Sequence, residues 1–188
     1  MALPQMPVHI RSVLLLGDQL PTQCRQPTVT SLFESAIFVC FDRPEFIPVT
    51  VTSPSMDTPV EPHRAYLLRG NLLPRFHDSN TTLLVTSTAY ATFDPRIDNN
   101  HLSPRALISS IGRVTECHFS QQDQRWIVRA LHRDYDPMYT LQRAIMRDIG
   151  LELFAVGNIL GFNGTIFGYD QDHARWIIHL YEAEPMQQ

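Results

Sequence analysis

The sequence predicts an α+β domain, an antiparallel β-sheet with one main helix at about 136–150 and a short N-terminal helix. Three observations carry that expectation. Short β-branched and aromatic runs recur along the chain, one stretch in the C-terminal third has helical periodicity, and strand-like segments lie on both sides of it without βαβ alternation. With 188 residues, 44% hydrophobic and 18% charged, the chain suits a single domain spanning 1–188 with its own core.

In chain order, His9–Leu16 reads as a strand closed by Gly17-Asp18. Pro27 presets a helical φ for a short helix through Val29, Leu32 and Phe33. Ala36–Phe41 is β-branched and aromatic, hence strand-like. Prolines at 44, 48, 54, 59 and 62 make 44–62 extended, edge-like or loop. Arg64–Leu68 and Leu83–Phe93 read as apolar strands, followed by a polar, turn-rich segment through Asp94, Pro95, Asp98, Asn99 and Asn100.

The main helix rests on Met138, Leu141, Ile145 and Ile149 at helical spacing. Asp136 caps its first free N–H groups, Pro137 takes the first helical position, and Gly150 ends it at a positive φ. Two stretches around it resemble copies of one hairpin. Gln122-Asp123-Gln124-Arg125-Trp126-Ile127-Val128 matches Gln171-Asp172-His173-Ala174-Arg175-Trp176-Ile177-Ile178 with one inserted residue. They read either as a duplicated half-site or as convergence of hairpins on polar turns and Trp-bearing strands, and both tryptophans are expected to be buried.

Arginine supplies all 15 basic Lys+Arg residues, and lysine is absent. This excludes Schiff-base and P-loop lysine chemistry. A chain of this length would ordinarily carry about ten lysines. A GC-rich genome, an overlapping reading frame, or selection against ubiquitin attachment would each explain the bias. A net charge of −4 with no basic run argues against a nucleic-acid partner.

Cys24, Cys40 and Cys117 form no CxxC pair and read as inert thiols of a reducing compartment. The longest early apolar run, Val13–Leu16, is too short for a signal core or membrane span. No membrane partner is expected, and the expected location is the cytoplasm, that of a host if the protein is viral or an effector. The eight histidines form no HExxH or paired Cys/His spacing, and GxGxxG and GxxxxGK patterns are absent, so no metal or cofactor is expected. Glycines 150, 157, 161, 164 and 168 read as a close backbone approach to a ligand or as a bulged, turn-rich connection.

Arg64 and Arg69 flank Ala65-Tyr66-Leu67-Leu68 and point to opposite faces of an ideal strand. One of them can therefore face a pocket and grip a ligand carboxylate. The alternative is a solvated or acid-paired arginine.

Arg64-Ala65-Tyr66-Leu67-Leu68-Arg69-Gly70 resembles the R-E-V-Y-L-R-G strand of the chorismate pyruvate-lyase family. Gln26-Pro27-Thr28 with Leu32-Phe33-Glu34, Ile111-Gly112-Arg113, and the closing segment Gly168–Pro185 are similar to other family segments in the same order. The family's G-S-L-T has no counterpart, and its W-G-R-R-S stands here as Gly164-Thr165-Ile166-Phe167-Gly168. The resemblance implies that Arg64 and Arg113 bind a substrate carboxylate. It also implies that Glu182 or Glu184 donates a proton to the leaving enolpyruvyl oxygen, giving 4-hydroxybenzoate and pyruvate without a cofactor. The sequence thus points to a small-molecule domain for a carboxylate or aromatic acid, extending to a carbon–oxygen lyase. The alternative is a non-enzymatic factor with a protein partner, such as a viral accessory protein or host-targeted effector.

Overall fold

A computed structural model describes residues 7–21, 29–40, 44–54, 60–73, 81–87, 106–132, 137–173 and 175–186. The chain contains two compact units. One is His9–Ala106, and the other is Leu107–Gln188 with Met1–Val8.

In the first unit, β1 (Val8–Leu15), β2 (Gln19–Leu20), β3 (Val29–Cys40), β4 (Pro44–Pro54), β5 (Ala65–Leu73) and β6 (Thr81–Ser87) lie in the order β1-β5-β6-β4-β3-β2. β3 is antiparallel to β4, β4 is parallel to β6, and β6 is antiparallel to β5. The run from β1 to β2 passes from one neighbour to the other. Leu16 N–H bonds Arg64 O on the β5 side, while Gly17 N–H bonds Glu34 O and Glu34 N–H bonds Asp18 O on the β3 side. Phe33, Ile37, Val49, Val51, Leu68 and Leu72 are buried, the alternate positions that a strand with one covered face must supply.

The second unit contains β7 (Leu107–Ser120), β8 (Arg125–Leu131), β9 (Met138–Leu141), β10 (Ile159–Asp170) and β11 (Arg175–Pro185). Their order is β10-β11-β9-β8-β7, and β10 pairs with β7 to close a five-stranded barrel. β9 and β11 are parallel. Counting strands within each unit, and taking β1 and β2 as one, both follow the cyclic order 1-2-3-5-4. Val114, Val128, Tyr139, Phe162, Ile178 and Leu180 fill the barrel, and Tyr139 stacks on Phe162 at 4.5 Å.

The α+β expectation is therefore corrected: the described residues are mostly strand. The main helix is reduced to α1 (Arg143–Ile149), followed by one 3-10 turn, Leu151–Phe154. Met138–Leu141, assigned to the helix, is β9, paired with β8 on one side and β11 on the other. Ladder bonds on both edges outweigh a helical pattern that Tyr139 and Thr140 support only weakly. Asp136 lies outside the described residues, and the residue preceding α1 is Gln142, which makes no side-chain cap bond. Gly150 does end the helix at φ 95°, its N–H bonding Met146 O.

The short N-terminal helix is replaced by β3, where Val29, Leu32 and Phe33 pair with β4 or β2; Pro27 lies outside the described residues. The proline-rich stretch is extended as β4 from Pro44 to Pro54 and one-sided up to Pro48, while Pro62 lies in a turn. β4 has neighbours on both sides from Val49 to Thr52, while Pro48 pairs only toward β3, opposite Ala36. The missing N–H thus falls before the two-sided region begins. The apolar segment expected at Leu83–Phe93 is observed as β6 to Ser87, and 88–105, with its turn-rich segment, lies outside the described residues.

Candidate nucleic-acid interface

The outer face of β3 and β4 carries an aromatic pair. Phe38 and Phe46 are register partners, between inward-facing Ile37, Val39 and Ile47. Their rings meet edge to face with centroids 5.2 Å apart. Phe46 remains 45% exposed. A large ring on the solvent side of a strand pair gains little for folding and offers a flat apolar plate to a ligand.

In the second unit, a bulge places Phe167 between the register pairs Ile166↔Ile178 and Gly168↔Ile177. Such a bulge re-aims the extra side chain. Phe167 lies 5.6 Å from the His179 ring, and Arg125 Cζ sits 4.8 Å from the Phe167 centroid. Burial, then the charge of Arg125, pushes the His179 pKa down. That favours a neutral imidazole beside the guanidinium. Along β8, Arg129 Nη1 lies 3.0 Å from Glu116 Oε2, whose other oxygen is 2.8 Å from His118 Nδ1.

The two Trp hairpins are β7–β8 and β10–β11. Their connections, Ser120 to Arg125 and Asp170 to Arg175, are equal in length, so the inserted residue of the sequence match disappears. In each, the residue opening the turn caps it. Ser120 Oγ accepts from Asp123 N–H, and Asp170 Oδ1 accepts from the N–H groups of Asp172 and His173. Phe119 pairs edge to face with Trp126 and Tyr169 with Trp176. Trp176 is 1% exposed, as expected, whereas Trp126 is only half-buried.

The residues singled out from sequence are divided between the two units. Arg64 is exposed ahead of β5, its Nε 2.7 Å from Glu61 Oε2, and it belongs to the first unit. Arg69 is also exposed. Arg113, Glu182 and Glu184 belong to the second. Arg113 is exposed on β7 between Leu131 and Ile159. Glu182 accepts from Asn163 Nδ2 at 3.0 Å, and exposed Glu184 pairs with Gly161. Burial raises the pKa of the free Cys117 thiol, which keeps it unreactive. The described residues contain no group of three or more His, Cys, Asp or Glu able to hold a metal. None of the helices described is long and apolar enough to cross a membrane. The clustered glycines belong to the bulged connection: Gly150 and Gly157 have positive φ, and register shifts adjoin Gly164 and Gly168.

Sequence reasoning missed Phe46, Phe167 and His179. Phe167 stood in the sequence within a glycine-rich stretch and Phe46 within a proline-rich one, and neither setting signals a ring at the surface.

No family model matches the chain, and no curated protein matches it in sequence. Solved structures do. The wild-type single-stranded DNA binding protein from Thermus aquaticus superposes with TM-score 0.57 and 11% identity, over 98% of this chain and 95% of that one. A deletion mutant of the same protein gives 0.54 and 12%, over 100% and 97%. At such identity the likeness shows the fold, that of the OB barrel, whose strand 2–3 face and neighbouring loops serve as a binding surface. It corrects the reading of a lyase or small-molecule domain. It also corrects the exclusion of nucleic acid, because the protein that shares this fold is a single-stranded DNA binding protein. Net charge alone does not decide the question, since it averages over surfaces that a ligand never meets.

Proposed function

We propose that the chain binds single-stranded nucleic acid on the outer strand faces of each of its two units. The observation that carries this reading is the exposed Phe46 ring, braced by Phe38, on strands 2 and 3 of the first barrel. Unpaired bases stack on such plates without regard to sequence, at about 1–3 kcal/mol each. Arg125 over Phe167, with His179 beside it, gives the second unit a comparable surface, where cation and ring can meet phosphate and base. Stacking supplies affinity that salt does not screen, so dependence on salt is shallower than for a site of phosphate contacts alone. A cytoplasmic location accords with this reading.

Fluorescence anisotropy with a labelled single-stranded oligonucleotide tests it. Phe46→Ala is expected to weaken binding by about 5- to 150-fold, the equivalent of one lost stack. Because Phe46 is exposed, the variant keeps its fold. Unchanged affinity would remove this face from the site.

A further inference from the structure

We propose that the groove between α1 and the β7–β8 turn holds an end nucleotide of the bound strand, its base against Phe119 and Trp126 and its phosphate toward Arg143 and Arg147. This rests on the single-strand reading above and adds a site to it.

The groove has a volume of about 620 Å³ and is lined by Phe119, Trp126, Met146 and Leu151, with Arg143, Arg147 and Glu152 as its charged side chains. That volume lies within the roughly 300–1,000 Å³ that small-molecule sites occupy. Two flat walls meet here: the Phe119 and Trp126 rings stand 5.6 Å apart at 68°. Arg143 Cζ lies 4.4 Å from the Phe119 centroid, and its Nη2 donates to Gln124 Oε1 at 2.9 Å. The guanidinium is thus fixed as a cationic plate over the ring. Arg147 stands four residues on and shares that side of the helix.

Glu152 sets the orientation. Its carboxylate packs over Gly150, where a Cβ would lie 2.7 Å from Oε1. It repels a phosphate and accepts from an exocyclic amino group, so the base turns toward Glu152 and the phosphate toward the arginines. An acidic peptide, lacking a flat heterocycle, would leave the ring walls unused. β8 contributes to both surfaces: Arg125 and Trp126 are consecutive, so one side chain leaves each face of the strand. Arg125 lies over Phe167, while Trp126 lines the groove.

The test is titration of the full chain with a short deoxycytidine oligonucleotide bearing a terminal phosphate, read by tryptophan emission and by affinity against salt. Emission should be quenched in the wild-type chain, and Trp126→Phe should abolish that quenching. Arg147→Ala should flatten log Kd against log salt by about 0.7, the loss of one phosphate contact to a single strand. If the oligonucleotide binds and Phe46→Ala weakens it, yet emission is constant and Arg147→Ala leaves the slope unchanged, the groove proposal falls and the single-strand reading stands. Without any oligonucleotide binding, both fall. Quenching by an aspartate-rich peptide and not by the oligonucleotide would make the groove a peptide site and overturn the proposal.

Discussion

Gly112 lies directly against the ring of His132: a Cβ at position 112 would fall 2.5 Å from His132 Cε1. Both residues are buried in the second barrel, His132 at 1% exposure. The ring is also fixed at both nitrogens, to Ile111 O at 2.9 Å and to Tyr139 Oη at 2.8 Å, and Tyr139 in turn meets Ser110 Oγ at 2.8 Å. In the neutral ring Nδ1–H donates to the carbonyl, so Nε2 accepts from the Tyr139 hydroxyl, which accepts from Ser110. Gly112→Ala should therefore cost about 1–3 kcal/mol, the usual range for overpacking a filled core. An unchanged denaturation midpoint would show that the ring can move aside.

Acid should weaken the fold through the same residue. Burial pushes the His132 pKa down to about 4, partly offset by its bond to Ile111, against an ordinary value of about 6.5. Above pH about 6.5 the ring is neutral in both folded and unfolded chains, and its full contribution is present. As pH falls from about 6.5 to about 4 the unfolded chain takes up a proton that the folded one resists. Stability is then lost progressively, by about 3 kcal/mol at most, and this group adds no further loss at lower pH. Carboxylates titrate in part of this window, so the informative quantity is the difference from His132→Gln. That difference in unfolding free energy should shrink as pH falls through the window, and a constant difference would contradict the assignment.

The two tryptophans should separate in quenching experiments. Trp176 is closed off on β11, while Trp126 is half-buried beside α1. In the folded wild-type chain iodide should quench only part of the emission. In Trp126→Phe the remaining emission, from Trp176, should resist quenching. Free quenching of that remainder would reject the packing of β10 against β11.

Much of the strand content was legible in β-branched, aromatic and apolar runs: His9–Leu16, Ala36–Phe41 as far as Cys40, and Arg64–Leu68 coincide with or adjoin β1, β3 and β5. Gly150 was legible as a helix end for a local reason, since glycine takes φ 95° without strain. Met138–Leu141 was misread because four residues sample helical and strand periods alike, and what decides between them is pairing with β8 and β11, which lie apart in sequence. The aromatic surface was hidden for the same reason. Phe38 and Phe46 become one feature only when β3 and β4 align, and Phe167 meets His179 only when β10 and β11 pair. Arg64 drew attention as an arginine beside an apolar strand, but the structure gives it a local partner, Glu61, in solvent.

The central claim is that these barrels grip unpaired bases. Its most direct test is competition on the wild-type chain between a single-stranded oligonucleotide and the duplex of the same sequence, at matched salt. The single strand should bind at least about tenfold tighter, because stacking at about 1–3 kcal/mol per base is open only to bases free of a partner. Equal affinity for the duplex, or no binding of the single strand, would contradict it.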